Sequence, residues 1–415
     1  MNLLFDFFKT LRFPYKSRSD IRQYQLSKFR EVVHHACENV PFYRKKYEGM
    51  DLGLSSLKDV QKLPVINAPE LRKCHLDEIT SKKVNKNEML NMSTTGTSGS
   101  PLKFQLSKKE NALRQLSFLR FMLGYGWWPW WKVVQVWREV SPKKYSVFQR
   151  LINSRKFHVS IHQPVEDQVK QLRQIKPQML HGTLTSVEQL ADWLVDHGKS
   201  LKGLRVISTG GEVKKSYHGE KFKKAFGTPG IQRYGAVECG IMGYSCIYCG
   251  QLYFDEQNFF VEVVDDSYRP VKNGEQGKVL FTTLNQYTTP LVRYELGDMI
   301  TLSESQGHCK NKFLHFKSID GREFDVLPLK DGRQLHSQHL IHGALRVSGL
   351  KKIQLLLKKD QSLLVKYIAD NEICDEIIRK ELIKAMRFEA LEVDFERCEV
   401  IPNEASGKFK FLKRE

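Results

Sequence analysis

Residues 93–104 read Ser-Thr-Thr-Gly-Thr-Ser-Gly-Ser-Pro-Leu-Lys-Phe, and every residue from Ser93 to Ser100 is a glycine or carries a hydroxyl. Gly96 and Gly99 let backbone N–H groups approach an anion closely, Thr94, Thr95, Thr97 and Ser98 add hydroxyl donors, and Lys103 adds positive charge. Such a run can hold a polyphosphate, and it does so without the GxxxxGK[ST] spacing of a Walker loop. Alone, the same composition also describes a flexible polar linker. Further groups decide between the two.

Four other segments supply them. Tyr234-Gly-Ala-Val-Glu238 sets an aromatic ring and a carboxylate four residues apart at a strand exit, which suits purine stacking and Mg²⁺ binding through carboxylate oxygen. Tyr294-Glu-Leu-Gly297-Asp298 is expected to end a strand on a glycine turn, leaving Asp298 to accept hydrogen bonds from two ribose hydroxyls. Asp320-Gly321-Arg322, with Asp325, opens a C-terminal block, and Ser406-Gly407-Lys408 lies in a loop that can deliver one lysine to a distant site. Each also reads as a plain turn or a solvated lysine. All five in this order are improbable by chance.

The elements that must carry these groups follow from patterning. Helical spacing at Ile21, Tyr24, Phe29, Val32 and Val33 breaks at Val40-Pro41, and a second helix starts near Lys108. From about residue 150 strands and helices alternate as in an α/β fold: a helix over 187–195, a strand over 204–208 running into Thr209-Gly210-Gly211-Glu212, a helix over 214–226, then strands at 259–264 and 277–282. The last ninety or so residues read as strand, strand, helix (373–388) and strand (391–400), a small α+β domain. We therefore expect a large mixed α/β N-terminal domain over 1–321 and a small mobile α+β domain over 322–415.

Composition narrows the setting. The chain has 415 residues and a net charge of +19, but its lysines and arginines are spread among acidic residues without a basic tail, which argues against nucleic acid as a partner. Anionic substrates explain the charge, as does peripheral association with an anionic membrane. The tryptophans at 127, 128, 130 and 131 fit a membrane interface or an aromatic pocket, and burial is the commoner outcome. The apolar N-terminus is interrupted by Asp6, Lys9 and Arg12 and offers no small-residue cleavage site, so we expect a cytoplasmic protein.

The order of the five segments resembles the adenylate-forming superfamily of acyl-CoA synthetases, luciferases and nonribosomal adenylation domains. It is most similar to the phenylacetate–CoA ligase-like branch, which includes capsule-biosynthesis adenylating proteins; Val40-Pro-Phe-Tyr-Arg-Lys-Lys46 and Leu63-Pro-Val-Ile66 resemble that branch's N-terminal signature. The resemblance implies ATP-dependent activation of a small-molecule carboxylate to an acyl-adenylate, followed by transfer to coenzyme A. Acceptors in a carrier protein or a sugar are the alternatives within enzymes, and a nucleotide-binding scaffold is the alternative outside them. Residue by residue, it implies that Thr94 to Ser100 and Lys103 hold the β/γ-phosphates. Gly210, Gly211 and Glu212 would border the adenine, Tyr234 would stack on it with Gly235 beside, Glu238 would bind Mg²⁺ and Asp298 the ribose. Arg322 would contact ribose or phosphate, Asp325 would mark the hinge, and Lys408 would bridge carboxylate and α-phosphate. Phe324 stands where many relatives carry a second acidic residue.

Cysteines raise a separate question. Cys246-Ile-Tyr-Cys249 offers two zinc ligands and needs two more. In the resembling branch a structural zinc is held between this region and a later one. Cys246, Cys249 and Cys309 are the leading candidates here, with Cys239 or His308 competing for the fourth place; reduced thiols without metal are the alternative.

Overall fold

The computed structural model describes residues 3–94, 101–137, 155–214, 216–246, 248–304 and 309–322, and beyond these 326–328, 334–336, 347, 349–358, 360, 362–369, 375–386, 393–402 and 409–414. It divides into two compact units, Met1–Ile319 and Asp320–Glu415. Among the described residues, no helix is long and apolar enough to cross a membrane.

The N-terminal helices are α1 (Leu3–Arg12), α2 (Arg18–Asn39) and α3 (Pro41–Lys46). Ser17 caps α2 by accepting from the Asp20 N–H, and the helix buries Ile21, Phe29, Val32, Val33 and Ala36. It stops at Val40 because Pro41 lacks the N–H that would continue the ladder and is well placed to start α3. After β1 (Ile66–Asn67) come two short helices, α4 (Ala68–Arg72) and α5 (Leu76–Ile79), the hairpin β2 (Met89–Ser93) and β3 (Lys103–Ser107), and α6 (Lys108–Gly124).

A large mixed sheet follows. Its strands are β4 (Val133–Trp137), β5 (Lys156–Ser160), β6 (Met179–Thr183), β7 (Val206–Gly210), β8 (Ile231–Ala236), β9 (Gly240–Ser245), β10 (Leu252–Phe254), β11 (Phe259–Val264), β12 (Gln276–Thr283), β13 (Tyr294–Leu302) and β14 (His315–Arg322), with β1 paired to β13. The order across the sheet is β11-β12-β13-β14-β10-β9-β8-β7-β6-β4-β5. The β5-β4-β6-β7-β8 end is parallel, which demands crossover connections. Helices α7 (Val165–Ile175), α8 (Leu184–Asp196) and α9 (Ser216–Phe226) fall between these strands in the sequence and bury Val134, Val136, Leu180 and Ile207 on one face. The opposite face packs Val133, Met179, Val206 and Ile231 against Phe121, Met122, Tyr125, Trp127 and Trp131. A third core joins α2 and α3 to β11–β13. In the C-terminal unit β15 (Val326–Pro328) pairs with β16 (Gln334–His336), and a four-stranded sheet runs in the order β19-β18-β17-β20, with β17 (Leu350–Leu357), β18 (Leu363–Ala369), α10 (Asp375–Met386), β19 (Val393–Arg397) and β20 (Leu412–Arg414).

Patterning located most of these elements, and one expectation is reversed. Residues 294–298 open a nine-residue strand instead of ending one. Gly297, at φ +81°, lies inside β13. There residues 296–298 face the single residue Val279, because Glu295 pairs with Leu280 and Met299 with Lys278. The bulge, not a terminal turn, shapes the backbone that carries Asp298. The tryptophans split: Trp127 and Trp131 are buried, while Trp128 and Trp130 are 53% and 61% exposed and stack with ring centroids 5.0 Å apart.

Candidate active site

The polar run is mounted on the β2–β3 hairpin. Ser93 pairs with Lys103, the Thr94 N–H donates to the Leu102 carbonyl at 3.0 Å, and the Leu102 N–H donates to Thr94 Oγ1 at 2.9 Å. Both ends of the intervening loop are therefore clasped. Thr95, Gly96, Thr97, Ser98 and Gly99 lie outside the described residues. Lys103 is exposed at the first position of β3. The hairpin is tied to the sheet by the Gln105 N–H, which donates to Thr289 Oγ1 at 3.1 Å. Glu110 makes the firmer link. It forms a capping box with Ser107 at the start of α6, and its other oxygen accepts from the Tyr287 and Thr288 N–H groups.

Two tyrosine–carboxylate pairs gather the remaining motifs. Tyr234 on β8 donates to Asp298 Oδ2 at 2.8 Å, and Tyr294 on β13 donates to Glu238 Oε1 at 3.1 Å. Both carboxylates are 8% exposed, close to solvent yet held by neighbours. The Tyr234 ring is 6% exposed and sits among Phe254, Phe281 and Phe316. Burial, with Glu238 beside it, drives the Tyr294 phenol well above its ordinary range, so it stays a donor. Cys239 lies beside both carboxylates, and burial pushes its thiol well up.

Close backbone approach explains the glycine between Tyr234 and Ala236. A Cβ on Gly235 would stand 2.5 Å from the Gly240 carbonyl oxygen. The 237–238 turn is held by Arg114, which donates to the carbonyls of Val237 (3.1 Å) and Glu238 (2.5 Å) and to Gln286 Oε1 (2.6 Å). Nothing in the spacing around Arg114 announces this positioning role, since its partners lie more than a hundred residues away.

Gly210 ends β7 and Gly211 turns at φ +81°. Glu212 is committed elsewhere than its side chain was expected: its carboxylate accepts from the Thr185 N–H and hydroxyl, both at 2.7 Å, and so caps α8 where the helix dipole favours negative charge. Any contact of this turn with a base would fall to its backbone. Arg322 ends β14, with its side chain outside the described residues; Asp325, Phe324 and Lys408 also lie outside them.

The thiols of Cys246, Cys249 and Cys309 all lie within 4.8 Å of one another, with Cys246 and Cys309 Sγ 3.6 Å apart. Tetrahedral zinc with Zn–S bonds of about 2.3 Å needs sulfurs about 3.8 Å apart, so three ligand positions fit. Cys249 is held below the usual thiol range: burial alone would raise it, but hydrogen bonds from Cys309, the Gln251 backbone, Tyr253 and Cys246 outweigh that. Hydrogen bonding to Cys249, with burial second, pushes Cys309 up to about 12. Cys239 is not a ligand of this group. It belongs to the core that carries Glu238, whereas the three thiols pack with Phe13, Tyr253 and Phe313. His308 lies outside the described residues.

This fold is shared with solved acyl-CoA ligases, and the chain is similar in sequence to several characterised proteins. Its relatives include Protein CapK of Staphylococcus aureus, 23% identical over 413 residues that span 95% of this chain and 89% of CapK. The phenylacetate–coenzyme A ligase of Thermus thermophilus is 24% identical over 331 residues, 75% of this chain and 73% of the ligase. Among solved structures, 2-hydroxyisobutyryl-CoA ligase in the postadenylation state superposes with a TM-score of 0.80 over 97% of this chain and 91% of its own, at 17% identity. No protein-family profile matches the chain.

Proposed function

We propose that the protein uses ATP to activate a carboxylic acid as an acyl-adenylate, releasing pyrophosphate, and then transfers the acyl group to the thiol of coenzyme A. The convergence of Tyr234–Asp298 and Tyr294–Glu238 in a fold shared with CoA ligases supports this reading most directly. A substrate carboxylate oxygen attacks the α-phosphorus, the bond to the β-phosphate oxygen breaks, and pyrophosphate leaves. The thiol sulfur then attacks the acyl carbon, loses its proton, and displaces AMP.

The chain's residues have assignable parts in this scheme. The β2–β3 loop binds the departing phosphates through N–H and hydroxyl donors, and Asp298 accepts from ribose hydroxyls. Gly210 and Gly211 present backbone to the base, with Tyr234 beneath it. Glu238 keeps one oxygen on Tyr294, and its other oxygen would be the one to hold Mg²⁺. Mg²⁺ bound there would neutralise charge on the phosphates. Lys408 and Arg322, from the C-terminal unit, would neutralise charge at the α-phosphate.

Zinc on Cys246, Cys249 and Cys309, in a reducing cytoplasm, would be structural. The alternative acceptors are a carrier protein or a sugar of surface-polysaccharide synthesis, which would take the acyl group in place of coenzyme A. The exposed Trp128–Trp130 stack and the net charge of +19 would suit peripheral contact with an anionic membrane.

Carboxylate-dependent pyrophosphate release from MgATP, with hydroxylamine as trap, tests the first half-reaction. Lys408→Ala is expected to lower it about 100-fold or more while ATP binding persists. Absence of release with every acid, in a protein that binds ATP, would make it a nucleotide-binding scaffold.

A further inference from the structure

One face of the parallel strands changes character along its length. On the side facing α6, Val133, Met179, Val206 and Ile231 are apolar and packed. Two residues further toward the C-terminal ends, the same face carries Gln135, His181, Ser208 and Arg233, since side chains alternate along a strand. The register brings these together: Gln135 pairs with His181, His181 with Ser208, and Arg233 with Gly210. Gly210 leaves room for the arginine, whose Nη2 lies 3.9 Å from where a Cβ would stand.

His181 and Ser208 are buried, Arg233 is partly buried, and all three carry unanswered polar atoms. His181 is 5% exposed and Ser208 fully buried, and among the described residues neither ring nitrogen of His181, nor Ser208 Oγ, nor Arg233 Nε has a hydrogen-bond partner. Phe118 of α6 covers the imidazole, ring centroids 5.7 Å apart. Burial, reinforced by Arg233 and Lys156, drives the imidazole pKa well below its ordinary value, so it is neutral and offers one donor and one acceptor. No carboxylate is among the described groups that act on His181, Arg233 or Lys156. A guanidinium and a buried imidazole without counter-groups are costly unless a ligand completes them. The place is the C-terminal end of parallel strands, beside the Gly210–Gly211 turn, where ligands of open α/β sheets bind.

Resting on the adenylation reading above, we infer that the acid this enzyme activates carries a second anionic group, a distal carboxylate, which Arg233, His181 and Ser208 receive between α6 and the sheet. Plain alkyl and aryl acids leave those groups unsatisfied and are poor substrates.

The test is pyrophosphate release with matched pairs of acids (butyrate and succinate, hexanoate and adipate, benzoate and phthalate) for wild type, Arg233→Met and Arg233→Lys. Wild type is expected to favour at least one dicarboxylate over its partner by tenfold or more in kcat/KM. Arg233→Met is expected to reverse that preference through KM, and Arg233→Lys to keep part of it. A readout independent of turnover runs alongside. The dicarboxylate alone should raise the Tm of wild type and not that of Arg233→Met, whose ligand-free Tm should rise because an unpaired, partly buried charge has gone. If Arg233→Met does not fold, His181→Gln takes its place in both arms, with a weakened preference expected. Release with monocarboxylates only, or a preference unchanged in the variants, overturns this inference and leaves adenylation standing. No release with any acid defeats the adenylation reading, and the Tm shift then decides by itself whether the pocket takes a dianion.

Discussion

At the scale of residues, the site is an arrangement of carboxylates restrained by phenols. A carboxylate buried with a single hydroxyl donor is held in one rotamer, and losing a hydrogen bond to a charged group costs about 1.5–3 kcal/mol. Tyr294→Phe is therefore expected to raise the KM for MgATP about tenfold while kcat and the acid KM change little, measured by pyrophosphate release at varied MgATP. An unchanged KM would mean that Glu238 is positioned by its backbone and Arg114 alone. The motif residues themselves were legible in the sequence, because Gly and hydroxyl runs and Tyr-to-acid spacings are local signals. Their mutual contacts were not: Tyr294 and Glu238 stand 56 positions apart, and Tyr234 and Asp298 stand 64 apart. Arg114 and Arg233 carry no motif at all, and the Ser107-x-x-Glu110 capping box does not announce the contact of Glu110 with Tyr287 and Thr288. Only the packing of α6 on the sheet, and for Arg233 the strand register, shows what they touch.

Among elements, helix periodicity and strand alternation located most of the framework, and local chemistry fixed many ends, as Pro41 does for α2 and Ser107 for α6. The β13 bulge escaped because a glycine in a strand-like run reads equally as an end or a bulge. The α8–α9 contact was also invisible. There Lys221 bridges Glu188 (2.7 Å) and Asp192 (2.8 Å), and His218 lies 3.5 Å from Glu188. Burial pushes the Glu188 carboxyl up, but the bond from His218 and the nearby Lys221 outweigh it and hold the group at about 2, against an ordinary 4.5. A pKa depressed on folding contributes stability that is complete above pH 4.5 and is lost as pH falls toward 2. The contribution is at most about 3 kcal/mol. Urea unfolding of wild type and Glu188→Gln should differ by up to that amount at pH 7 and converge near pH 2. Parallel curves over that range would show that the clamp is screened.

At the scale of the whole molecule, the sequence allowed two domains to be expected, since 415 residues exceed one ordinary core and the last ninety or so read as strand, strand, helix and strand, whereas the joining of three thiols across more than sixty residues needed the fold. If those thiols hold zinc, purified protein will contain about one zinc per chain, and chelation or Cys249→Ser will lower the Tm by several degrees. Metal-free protein with an unchanged Tm after chelation would assign the cluster to packing. The pairing of β1 with β13 has a consequence for biosynthesis. Ile66 meets Tyr294, and the apolar faces of α2 and α3 are covered by β11–β13. More than two hundred residues separate these partners, which at about 5–20 residues per second is roughly 10–45 s of translation. Throughout that interval Phe29, Val32, Val33 and Tyr43 lack the β11–β13 side of their native core, so the nascent amino-terminal segment is a client for chaperones until the ribosome has passed residue 302.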